Sequence, residues 1–150
     1  MSYKNENMKM IELHENGLDI QFRIRENGVV ELADFSSQEV KKAVMEPKDD
    51  ICYPAVEIHR SGTGSLNMHA YKNNINQSSV DFVYENHELK AQAGGKELEI
   101  VMISPEKLKA VYHMRLFDGV PAVQTWTEII NEGSEDQGLT YVSSFMYQGI

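Results

Sequence analysis

The stretch from Lys96 to Phe145 reads KELEIVMIS-PEK-LKAVYHMRLF-DGVP-AVQTWTEIIN-EGSEDQG-LTYVSSF: four strand-like runs with three turn signals between them. In the second run Leu108, Ala110, Tyr112, Met114 and Leu116 fall on one face. Lys109, His113 and Arg115 fall on the other, interrupted only by Val111. A period of two marks a strand with one face buried. Asp118-Gly119 followed by Pro121 is turn chemistry, because Gly accepts positive φ while Pro fixes φ and removes a donor. Asn131-Glu132-Gly133 closes the third run in the same way. The stretch predicts an antiparallel meander that lays long strands side by side.

Upstream, the pattern persists. Met10–His14 predicts a short strand turning at Glu15-Asn16-Gly17. Leu18, Ile20, Phe22 and Ile24 alternate with Asp19, Gln21, Arg23 and Arg25, and Asn27-Gly28 is a strong short hairpin signal leading into Val29–Phe35. Ser36 and Glu39 have capping-box spacing, and Val40 with Val44 form a short apolar stripe, so Ser36–Met45 is the one helix candidate; a loop with a helical turn fits it equally well. Glu46–Asp50 reads as a polar linker and Pro54–His59 as a further alternating segment. Arg60–Gly64 and Tyr71–Ser79 read as loops. Val80–Tyr84 and His87–Gln92 read as two short strands about a turn at Asn86, and Gly94-Gly95 leads into Lys96–Ser104. Short strands at spacings of roughly 8–12 residues predict an all-β fold, an antiparallel sandwich or barrel.

Composition narrows the function classes. A chain of 150 residues buries about 68–70% of its unfolded surface, and a 41% hydrophobic, 25% charged composition is that of a soluble globular protein. The net charge of −9 argues against nucleic acid and anionic membranes, since both need a basic patch and Lys41-Lys42 is an isolated pair. No run approaches the roughly 18 apolar residues of a membrane span. Residues 1–10 (MSYKNENMKM) lack an apolar signal region, and the single cysteine, Cys52, excludes an internal disulfide; a cytoplasmic location is expected.

Several segments in order resemble one family. The run Thr127-Glu128-Ile129-Ile130-Asn131-Glu132-Gly133 fits "T-x-I-x-N-x-G", and Leu139 to Phe145 fits "L-x-x-V-S-S-F". Leu18–Ser36 looks like an opening hairpin, Tyr53-Pro54-Ala55-Val56-Glu57-Ile58 like a central segment, and Lys96–Ser104 like the strand before the meander. Together they resemble the N-terminal β-supersandwich (galactose-mutarotase-like) domain of the α-galactosidase, or melibiase, group, glycoside hydrolase family 36. The resemblance implies that residues 1–150 are a single β-sandwich domain, the N-terminal part of a larger hydrolase whose (β/α)₈ barrel follows. It implies as partners that barrel of the same polypeptide, α-galactoside substrates of the parent, and a homo-oligomer. In some tetrameric members a loop of this domain carries an Asp-x-Arg segment to a neighbour's sugar. The corresponding residues here are Asn67-Met68-His69, a departure from that segment. Arg60, Asn67 and His69 are the residues of this region expected to face a barrel.

The residues themselves offer little chemistry. A retaining glycosidase needs two carboxylates about 5–5.5 Å apart across the scissile bond. Glu97/Glu99 and Glu57 with His59 are same-face pairs, which alternating charge on the wet face of a strand explains without catalysis. No catalytic residue is assigned. His14, His59, His69, His87 and His113 are scattered, with no HxH or HExxH and no paired cysteine, so neither a metal nor another cofactor is expected. Ser61-Gly62-Thr63-Gly64-Ser65 lacks the Lys-Ser/Thr and helix of a phosphate-binding loop. Sugars are held by aromatic faces with planar polar neighbours. Trp126, which shares a strand face with Gln124 and Glu128, is therefore the candidate sugar platform; the opposing reading is a core or interdomain residue.

Overall fold

The computed structural model describes residues 9–37, 53–64 and 77–147. Nine strands and one short helix occur among them: β1 Lys9–Glu15, β2 Leu18–Ile24, β3 Val30–Ser37, β4 Ile58–Arg60, α1 Gln77–Val80, β5 Val83–Gln92, β6 Gly95–Ile103, β7 Leu108–Phe117, β8 Val120–Asn131 and β9 Leu139–Val142. All pairings are antiparallel, in a three-stranded sheet β1-β2-β3, a two-stranded sheet β4-β9 and a four-stranded sheet β5-β6-β7-β8.

Alternation decides which faces meet. Ile11, Leu13, Leu18, Ile20, Phe22, Ile24, Val30 and Leu32 of the first sheet share one buried cluster with Leu98, Ile100, Met102, Leu108, Ala110, Tyr112, Met114 and Leu116 of the third. Phe22 and Tyr112 meet edge to face across the layers, centroids 5.6 Å apart. Ala55, Val56, Ile58 and Phe82 complete the cluster. Two apolar sheet faces closing on one core make a β-sandwich, one of the two architectures the pattern predicts and the one the resemblance implies.

Irregularities keep the pattern in phase. On β3 the apolar residues run Val30, Leu32, Phe35, a step of three at the end. Pairing passes from Phe22↔Leu32 to Gln21↔Asp34, so a bulge at Ala33 returns Phe35 to the face opposite Ile20. In β5 a bulge between Tyr84 and Asn86 does the same. Hence Val83–Gln92 is one strand where two strands about a turn were expected, and Asn86 is paired within it. The β2–β3 connection is one residue longer than a two-residue hairpin turn. Gly28 N–H bonds Arg25 O at 2.9 Å and, of Asn27 and Gly28, only Gly28 has positive φ, which fits a type I turn closed by a glycine bulge.

Other expectations need correction. The meander keeps β6, β7 and β8, but the last run leaves it: β9 pairs with β4, Ile58↔Val142. Pro54–His59 contributes only its end to a strand, and Gln77–Val80 is helical rather than loop. Ser36 is the penultimate residue of β3 and no helix cap. Residues 38–45 of the helix candidate, with Glu46–Asp50, Cys52, Asn67 and His69, lie outside the described residues. Among those described, no helix is long and apolar enough to cross a membrane.

Candidate functional site

The outer face of the four-stranded sheet collects side chains that the core rejects. Strict register sets the order across it: Glu88 pairs Glu99, Glu99 pairs His113, and His113 pairs Trp126. One step along, Lys90 pairs Glu97, Glu97 pairs Arg115, and Arg115 pairs Gln124. Directly opposed residues on one face lie within side-chain reach, so the two rows form one polar lattice.

His113 is its centre. Although on the outward face, the residue is only 6% exposed, as is Glu97. The Trp126 ring covers it, stacked at 4.6 Å and 5° from parallel. His113 Nδ1 lies 2.9 Å from Glu97 Oε1 and 3.9 Å from Glu99 Oε1, and Nε2 lies 3.8 Å from Glu128 Oε2. Gln92 Nε2 donates to Glu97 Oε2 at 3.0 Å, and Lys90 Nζ donates to Glu99 Oε2 at 2.5 Å. The hydrogen bond to Glu99 holds the Lys90 ammonium above its ordinary value. Arg115 donates to Ala93 O at 3.1 Å and lies over the Phe117 ring. His113 Nε2 and Arg115 Nε are buried without a hydrogen-bond partner.

Sequence reasoning placed Trp126, Gln124 and Glu128 on one face, and the structure does so. It missed His113 as their hub and missed that Glu97 and Glu99 converge on it; the three residues offer ligand atoms all within 4.8 Å of one another. The signal was present as Glu97-x-Glu99 on one strand and His113 on the next, but only register brings them together. The pair Glu97/Glu99 sits side by side on one strand face, so these carboxylates do not straddle a bond as a glycosidase pair would.

Arg60 lies elsewhere. It ends β4 with a buried guanidinium, paired to Asp81 at 2.9 Å and Glu106 at 2.7 Å. It thereby ties β4 to the start of β5 and to the β6–β7 turn. Partial burial pushes the Glu106 carboxyl up, but hydrogen bonds from backbone N–H, Ser104 and Arg60 outweigh it and hold the group below its ordinary value. Beside it, His59 and Glu57 bond at 2.7 Å.

The class defined by this architecture is an antiparallel β-sandwich with a polar, Trp-bearing outer face. Among solved structures, the chain is similar in fold to a GH36 alpha-galactosidase, AgaA, from Geobacillus stearothermophilus, crystallised in complex with raffinose. The match has a TM-score of 0.50 and 12% sequence identity, and covers 83% of this chain and 22% of that one. The chain thus spans about a fifth of the length of the protein it matches. No family model matches it, and no curated protein does.

Proposed function

We propose that this chain is a non-catalytic N-terminal accessory domain of an α-galactosidase-like glycoside hydrolase. It packs on the catalytic barrel of the same polypeptide, assists homo-oligomer formation and shapes the entrance for α-galactosides; a cytoplasmic setting belongs to the same reading. The carrying observation is the fold likeness, which extends over most of this chain but only 22% of a GH36 alpha-galactosidase. Surface chemistry supports it. Of the seven large hydrophobic side chains exposed among the described residues, five (Val120, Ile130, Leu139, Tyr141 and Phe145) fall between residues 120 and 145. Exposed apolar side chains of this size are available for another domain to cover. The test is hydrolysis of an aryl α-galactoside by the 150-residue chain alone and by the same chain continuous with the coding sequence that follows it. Activity confined to the longer protein is expected; activity in neither would sink the proposal.

A second reading is a carbohydrate-binding or structural sandwich acting without a barrel. Trp126 favours the binding form, because its ring stacks on His113 on the face that also carries Gln124, Arg115 and Glu128. Trp126→Ala should then abolish retention on immobilised galactosides while leaving the fold intact by circular dichroism. Unchanged retention, or none in the parent chain, removes that reading.

A further inference from the structure

We propose that Glu97, Glu99 and His113 form a binding site for a divalent transition metal of the zinc type on the outer face of the four-stranded sheet. The inference does not depend on the accessory-domain reading.

Glu97 and Glu99 are two residues apart on β6, so both point outward, and His113 stands directly opposite Glu99 on β7. His113 Nδ1 is 2.9 Å from one Oε1 and 3.9 Å from the other, and no separation within the trio exceeds 4.8 Å. A tetrahedral ion bound at about 2.0–2.2 Å separates its ligands by about 3.3–3.6 Å, so small side-chain rotations suffice. One imidazole and two carboxylates leave a fourth position open. Imidazole nitrogen favours zinc-like ions over magnesium or calcium, which take oxygen ligands.

Metal ligands are oriented by outer hydrogen-bonding groups. Each carboxylate has its Oε2 held by a neighbour, Gln92 for Glu97 and Lys90 for Glu99, and turns its Oε1 to His113 Nδ1. Behind the imidazole, Nε2 faces the Glu128 carboxylate at 3.8 Å. Both carboxylates therefore have an outer partner on the side away from the shared centre, while His113 Nε2 faces Glu128 without a hydrogen bond.

A carboxylate only accepts, so in neutral His113 the proton must sit on Nδ1 to bond Glu97. Nε2 is then a bare acceptor, buried, without a hydrogen-bond partner and facing another acceptor. Such a group is costly to leave unpaired. A cation on Nδ1 displaces that proton and puts the imidazole N–H on Nε2, where it points to Glu128. The same ion offsets the charge of two adjacent carboxylates that Lys90 only partly balances. The rival arrangement, a doubly protonated His113 among the carboxylates, needs no metal and is what the experiment must separate.

Trp126 supplies the readout, because it is the only tryptophan in the chain and stacks on the ligand imidazole. Tag-free, chelator-stripped protein titrated with Co²⁺ or Cu²⁺ should lose Trp126 fluorescence saturably at one equivalent, and Zn²⁺ should reverse the loss by competition. Glu99→Gln and His113→Gln should weaken binding at least tenfold. Glu128→Gln, which alters no ligand and an exposed side chain, should weaken it about tenfold. Should His113→Gln fail to fold, Glu99→Gln and Glu128→Gln decide the matter, with folding checked by circular dichroism. Absence of saturable quenching by micromolar metal would overturn the proposal, and so would binding that Glu99→Gln leaves unchanged.

Discussion

Gly94 closes the β5–β6 turn and Gly95 opens β6, yet the two answer to different constraints. Gly94 has φ +77° with open space where a Cβ would stand, so Gly94→Ala meets only left-handed backbone strain, about 1–2 kcal/mol. A Cβ on Gly95 would lie 1.9 Å from the Leu116 carbonyl oxygen on the neighbouring strand. Backbone cannot yield as a side chain can, so Gly95→Ala should cost about 3 kcal/mol or more. Urea unfolding of the two variants checks the ranking; equal costs would contradict it. His87 gives a pH dependence. Burial, and then the charge of Lys9, lower its pKa below 6.5. Lys9 Nζ donates to the Tyr84 hydroxyl at 2.9 Å, and that O–H in turn faces His87 Nδ1 at 2.8 Å, a chain that needs the neutral imidazole. With the folded-state pKa depressed, the unfolded chain binds the extra proton first. The stabilising contribution is therefore complete above about pH 6.5 and is lost as pH falls through the lower folded value. His87→Gln should flatten the fall in Tm between about pH 7 and 5. An unchanged slope would remove His87 as its source.

At the scale of elements, the shortest pieces depend most on their neighbours. β4 has three residues and pairs on one side with β9. Its other side is satisfied by α1. Ser79 Oγ accepts from Ile58 N–H at 2.9 Å and donates to Ile58 O at 3.0 Å, while Ser78 Oγ accepts from Arg60 N–H at 3.3 Å. Buried backbone must be paired somewhere, and here two serine hydroxyls do it. Ser79→Ala leaves the Ile58 N–H buried without that acceptor and should cost about 1–3 kcal/mol in thermal or urea unfolding. A loss below a few tenths would show that the edge is paired otherwise. Nothing in Gln77-Ser78-Ser79-Val80 announces this role: polar residues in a row read as loop, and their partner is about twenty positions away. The long strands were legible for the opposite reason. Leu18–Ile24 and Leu108–Phe117 each keep period-two alternation of residue type through three or more repeats, so the apolar face read from sequence is the face that enters the core.

For the molecule as a whole, the exposed apolar side chains between residues 120 and 145 set the expected behaviour of the chain alone. β8 is an edge of its sheet among the described residues and exposes Val120 and Ile130. Its run carries one charge, Glu128, and its only proline stands near the start. Long edges so lightly protected recruit other strands. Self-association, most simply as a dimer, is expected in light scattering at high concentration, and Ile130→Lys should shift it toward monomer. A strictly monomeric parent chain would contradict this. Arg60, singled out from sequence at a loop edge, ends β4 with its guanidinium buried between Asp81 and Glu106, partners that only the tertiary structure brings to it.

By itself the sequence determined the sandwich class, the hairpin of β1–β3, the long strands of the meander and the face shared by Gln124, Trp126 and Glu128, because each is written in alternation or turn chemistry within a dozen residues. Only the tertiary structure decided that the last run pairs with β4, that bulges rephase β3 and β5, and that Glu97, Glu99 and His113 meet beneath Trp126. Those facts rest on register between strands and on burial by distant segments, and a one-residue slip in pairing would scatter the cluster to opposite faces without altering a single residue type.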